Sequence, residues 1–158
     1  MSSTRSAGDA ATEARPAPAV SDRDAIARLA ATFDDAVNRR SVEGFCALWA
    51  QDAEWTIGPP REMRAVGIED IRRTWTAMLE QTVWLFRGSY AGVIDVDGDV
   101  ARGRWPCTEV GSFKAEGKYE NFAMYEDEYR RTDGGWVFAR RSYAYLRLTT
   151  DIVPPTQG

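Results

Sequence analysis

Residues 34–57 read DDAVNRRSVEGFCALWAQDAEWTI, and the change of period within them sets the fold class. Upstream, Ile26, Leu29, Ala30, Phe33 and Val37 recur at helical spacing, with Ser21 as N-cap and Asp24 in the first turn. Arg28, Asp35 and Arg39 fall on the wet side of that helix. Asp34 and Asn38 lie one turn apart along the edge of its apolar stripe. Ser41 starts a short second helix that turns Phe45, Leu48 and Trp49 inward. Ala53 to Ile57 then alternates as a strand.

After the Pro59–Pro60 loop, the spacing of Ile68, Ile71, Trp75, Met78 and Leu79 predicts a third helix over 68–79. From Thr82 the texture becomes long alternating runs. They are punctuated by VDGD near Gly98, AEGK near Gly117 and TDGG near Gly134, each suited to a hairpin. Helices first and about four long antiparallel strands afterwards define an α+β fold. That order implies a strongly curved mixed or antiparallel sheet with the helices packed into its concave side. The single domain is expected over 21–150. Residues 1–20 are expected to be an Ala, Ser and Pro-rich disordered tail, and 151–158 a C-terminal tail.

Composition narrows the function classes. A chain of 158 residues with 44% hydrophobic content and a net charge of -4 is globular and lacks the basic balance of a nucleic-acid binder. Lysine occurs only at Lys114 and Lys118. Cys46 and Cys107 are isolated in apolar surroundings and read as buried thiols in a reducing compartment. With no histidine and no paired cysteine spacing, neither a metal site nor a cofactor is expected. No window reaches the length of a membrane span and no secretory leader is evident, so the expected location is the cytoplasm.

Two segments carry a family resemblance. LWAQDAEWTI (48–57) and DEYRRTDGGWVFARRS (127–142), set in this order of elements, resemble the nuclear-transport-factor-2-like superfamily over roughly residues 22–150. Within it they are most similar to the SnoaL-like polyketide cyclases and the hexachlorocyclohexane dehydrochlorinases. The resemblance implies a cone-shaped α+β barrel around a small-molecule pocket and, in the dehydrochlorinase type, an Asp–His dyad. By that correspondence the helix-borne aspartate falls on Asn38, and the histidine falls on Phe86 or Leu85. Both dyad members are therefore missing, while the arginine of the last strand is retained as Arg141.

Alternation anchored on Arg141 assigns Arg141, Tyr143 and Tyr145 to the cavity, with Tyr119, Asn121, Ala123 and Tyr125 from the preceding strand. Arg104, Pro106 and Thr108 join them, as do Trp84 and Phe86, with Trp55 at the wall. Asp34 is the expected replacement base and Asn38 its polar neighbour. Arg141 and Arg104 are candidates to hold an enolate or carboxylate. Thr108, Asn121, Tyr125, Tyr143 and Tyr145 would contact the ligand. Glu109 and Glu120 are expected on the convex face, and Asp127 solvated near a hairpin end. Trp105, Cys107, Phe122 and Met124 form an outward apolar row there, which implies a homodimer or small homo-oligomer.

The expected activity is a cofactor-independent cyclase or isomerase acting on a polyketide-like or aromatic small molecule. The alternatives are a dehydratase or dehydrohalogenase-type lyase, and a non-enzymatic binding protein or dioxygenase-small-subunit-like structural subunit.

Overall fold

The structure is a computed structural model that describes residues 20–150. The two expected tails fall outside the described residues, apart from Val20. Helix α1 (Asp22–Asn38) starts where Ser21 accepts a hydrogen bond from the Asp24 amide, and it buries Ile26, Leu29, Ala30, Phe33 and Val37. Helix α2 (Val42–Cys46) is capped by Ser41. Strand β1 (Trp49–Ile57) begins earlier than the alternation suggests. A short strand absent from the sequence reading, β2 (Met63–Val66), pairs antiparallel with β1. Helix α3 (Ile68–Gln81) follows. Arg40 donates from Nη2 to the carbonyls of Leu79 and Thr82, at 2.8 and 3.1 Å, and so closes its C-terminal end.

Five strands complete the described residues: β3 (Thr82–Ser89), β4 (Val93–Asp97), β5 (Val100–Phe113), β6 (Gly117–Thr132) and β7 (Gly135–Thr150). The seven-stranded sheet has the order β2-β1-β7-β6-β5-β3, with β4 also on β5. Among the described residues, β1 and β7 pair in parallel and the other ladders are antiparallel. Register shifts in the β1–β7, β3–β5 and β6–β7 ladders mark irregularities of the kind that bend a sheet. The sheet curls without closing and takes the helices into its hollow.

One part of that hollow is filled. Phe33 packs edge-on against Tyr125 and Phe138, while Phe45 stacks on Trp75 with ring centroids 4.6 Å apart. Beneath them Trp105 Nε1 donates to the Tyr129 hydroxyl (2.7 Å), which donates to Asp127 (2.6 Å), which also accepts from Arg141 Nε (3.0 Å). A side chain at Gly103 would strike both the Tyr129 hydroxyl and the Trp105 indole, so the chain needs glycine there.

The inward faces of β6 and β7 follow the expected alternation, but those of β5 and β3 are inverted. Trp105, Cys107 and Glu109 face inward, while Arg104 is exposed on the other side and Thr108 shares its face. Arg102 and Arg104 lie beside Glu128 and Glu126 on the outer face, where water and opposite charges solvate them. On β3, Leu85 and Arg87 point in, whereas Trp84 (45% exposed) and Phe86 (62%) point out. Val83, Trp84, Leu85 and Phe86 are all apolar, so period alone cannot choose a face, and the shift between Thr82 and Trp84 sets it. Asp127 is buried rather than solvated.

Candidate active site

The rest of the hollow is a cavity of about 890 Å³ between α3, the inner sheet face and the loops at its rim. Its walls are mostly apolar: Phe45 and Trp55 meet Trp75, Met63, Met78 and Leu85. From the sheet come Tyr119, Asn121 and Tyr125 on β6, and Tyr143 and Tyr145 on β7. At the mouth, Arg61 pairs with Glu116 and lies 5.0 Å over the Phe113 ring.

Into this surface β5 delivers one carboxylate, Glu109. It accepts a hydrogen bond from the Tyr119 hydroxyl at 3.1 Å. That contact depends on Gly111, which is register partner to Tyr119; a Cβ there would sit 2.6 Å from the same hydroxyl. Glu109 has Asn121 opposite it on β6 and Arg87 opposite it on β3, which places all three side chains on one face. Burial pushes the Glu109 carboxyl above the ordinary glutamate range, against the opposing pull of Arg87 and the Tyr119 hydrogen bond. The other cavity-lining carboxylates, Glu62 and Glu116, lie at the rim.

Behind Glu109 stands a buried ion pair. Arg87 Nε is 2.8 Å from Asp34 Oδ1, and the Ser89 amide donates to Asp34 Oδ2 at 2.8 Å. Arg87 Nη1 donates to the Tyr125 hydroxyl at 3.4 Å, and its guanidinium lies 5.0 Å over the Tyr125 ring. Its Nη2 has no hydrogen-bond partner among the described residues. Asn38, one turn on from Asp34, makes a two-way clasp with the Arg87 backbone. Its Nδ2 donates to the carbonyl at 2.9 Å, and the amide donates to its Oδ1 at 2.8 Å.

The expected site residues therefore divide. Trp55, Asn121, Tyr125, Tyr143 and Tyr145 line the cavity; Asp34, Asn38, Arg104, Thr108, Trp84, Phe86 and Arg141 do not. Asp34 and Asn38 lie behind Arg87. Arg141 is fully buried, with its guanidinium 3.8–4.4 Å from the ring centroids of Phe33, Tyr125 and Phe138 and its charge met by Asp127. It supports the cavity floor. A carboxylate on α1 does reach a side chain on the strand after α3, but the pair is Asp34 with Arg87, not Asn38 with Phe86 or Leu85. A guanidinium cannot serve as base.

Glu109 and Arg87 are the site residues that sequence reasoning missed. Their signal was the run Trp105, Cys107, Glu109: with apolar residues inward, the acid two positions on shares their face.

An open, curled sheet around a mostly apolar cavity defines a cone-shaped pocket protein of the nuclear-transport-factor-2-like kind. The chain belongs to the SnoaL-like domain family, whose sequence model matches residues 18–142. Comparison with curated proteins gives no significant match. Among solved structures, a Novosphingobium aromaticivorans protein described as an aromatic ring hydroxylase superposes with TM-score 0.77 at 24% identity, covering 82% of this chain and 93% of that one. A protein of the same organism described as a scytalone dehydratase gives TM-score 0.74 at 20% identity, covering 87% and 95%. The hexachlorocyclohexane dehydrochlorinase of Novosphingobium barchaimii gives TM-score 0.74 at 20% identity, covering 86% and 94%. At these identities the likeness is one of fold. No helix among the described residues is long and apolar enough to cross a membrane.

Proposed function

We propose that the protein is a cytoplasmic, cofactor-independent isomerase or cyclase acting on a flat, ketone-bearing small molecule of polyketide-like or aromatic type, with Glu109 as its proton carrier. The observation that carries this reading is Glu109 itself, an inner-wall carboxyl made more basic by burial in an aromatic cavity. The Glu109 carboxylate takes a proton from the carbon next to a ketone. The C–H electron pair moves into the new enolate, and the negative charge on its oxygen is stabilised by Arg87. In an isomerisation, Glu109 returns the proton at another carbon. In a cyclisation, the enolate carbon attacks a second carbonyl carbon and the resulting alkoxide takes the proton. Asp34 and Asn38 hold Arg87 and its strand, and Arg141 holds the floor. A leaving group β to the same ketone would turn the enolate toward elimination, which is the lyase reading that the dehydratase and dehydrochlorinase relatives favour.

The test uses 2-tetralone, a flat bicyclic ketone, in D₂O. Exchange of its α-protons, followed by NMR, is accelerated by the protein, and Glu109→Gln lowers that rate by about 10²–10⁴-fold. Exchange at the wild-type rate in the variant overturns the assignment of Glu109.

The protein also acts as a homodimer or small homo-oligomer in this proposal. The exposed apolar row that supports it is Trp84, Phe86 and Phe122 with Met124 beside them, since Trp105 and Cys107 face inward.

A further inference from the structure

Two carboxylates compete for one buried guanidinium. Arg87 is 2% exposed and lies between Asp34 on α1 and Glu109 on β5, its direct register partner. Asp34 holds it at 2.8 Å and is itself anchored by the Ser89 amide. Glu109 is left with the neutral Tyr119 hydroxyl. We propose that Asp34 is a positioning residue: by occupying Arg87 it keeps that cation from pairing fully with Glu109, and so keeps Glu109 a strong enough base to take a proton from carbon. This deepens the proton-carrier reading and rests on it.

The remaining groups around Glu109 do not substitute for Asp34. Cys107 on the same strand, Tyr125 on β6, and Tyr143 and Tyr145 on β7 are all held neutral by burial. Tyr119 is likewise neutral and acts only as a hydrogen-bond donor. Among the cations, Arg141 is matched by Asp127, while Arg61 and Arg73 at the rim are matched by Glu116 and Asp70. Removing the Asp34 charge therefore leaves Glu109 as the adjoining carboxylate able to neutralise Arg87.

The experiment reads Glu109 directly, with no substrate present. Protein carrying ¹³C at its glutamate and aspartate side-chain carboxyls is titrated by NMR, with the Glu109 signal assigned by its loss in Glu109→Gln. Asp34→Asn is expected to lower the Glu109 midpoint by about 1–3 pH units, the usual effect of an opposite charge brought into contact. Asp34→Glu, which keeps the charge, is expected to restore the wild-type midpoint. An unchanged or raised midpoint in Asp34→Asn overturns the proposal. If that variant does not fold, a crystal structure of the wild-type protein at pH 8 decides: Arg87 paired with Asp34 and apart from Glu109 supports the proposal, and Arg87 paired with Glu109 overturns it. Catalysis does not enter this readout, so an active Glu109→Gln enzyme would refute the proton-carrier reading alone.

Discussion

Glu109 and Asp127 are both inward-facing carboxylates on neighbouring strands, and their partners give them opposite roles. Asp127 receives a guanidinium and a hydroxyl in a fully buried network, which fixes it as structure. Glu109 receives one neutral hydroxyl and faces open space, which leaves its proton free to move. The proposed ketone exchange takes its pH dependence from this. Only the ionised carboxylate takes a proton, so the rate rises with pH through the Glu109 titration and levels off above it. Because burial raises that titration, the half-maximal rate is expected above the free glutamate value of about 4.3. A half-maximum at or below that value would show that a different group carries the proton.

At the scale of elements, the joint between α1 and β3 determines the site. Strand β3 is the terminal strand of the main sheet path, and the side chains of Asp34 and Asn38 bond to its backbone at Ser89 and Arg87. Asn38→Ala removes two hydrogen bonds and leaves the Arg87 amide unpaired. Urea unfolding is expected to show a loss of about 1–3 kcal/mol, with faster hydrogen exchange at the Arg87 amide; unchanged exchange would mean that the clasp does not hold the strand. The same joint shows what the sequence disclosed. The apolar stripe of α1, its Ser21 cap and the turn glycines announced the elements in order, because each rests on local chemistry. Period 2 placed Tyr119, Asn121, Tyr125, Tyr143 and Tyr145 correctly from one anchor. It failed on β5 because the cavity was assumed to take Arg104, although the outer acids Glu126 and Glu128 offered that arginine solvation. It failed on β3 because four successive apolar residues carry no alternation. Faces there are decided by long-range pairing, which a local pattern does not encode.

At the scale of the whole molecule, the outer face of the sheet splits into two territories. Across β1, β7, β6, β5 and β4 the register brings Glu54, Arg140, Glu128, Arg102 and Asp95 side by side, with charge alternating at each step. That ladder is satisfied within the sheet and in water. Toward β3 the surface turns apolar at Trp84, Phe86 and Phe122. Association is therefore expected through the apolar territory. Phe86→Glu should convert the assembly to monomers in sedimentation velocity while the far-UV spectrum stays unchanged. An assembly that persists in this variant would place the interface elsewhere.

The contact between Asp34 and Arg87 also carries a genetic consequence. Arginine and histidine codons of the CG-pyrimidine and CA-pyrimidine sets differ by a single base. The clasp around position 87 runs through its backbone, so it tolerates the exchange of side chain. Where position 87 is encoded by a CG-pyrimidine codon, one point mutation would set an imidazole against the α1 carboxylate. Such a step would move the proposed proton transfer from β5 to β3 without rebuilding the scaffold, a short evolutionary path between two chemistries.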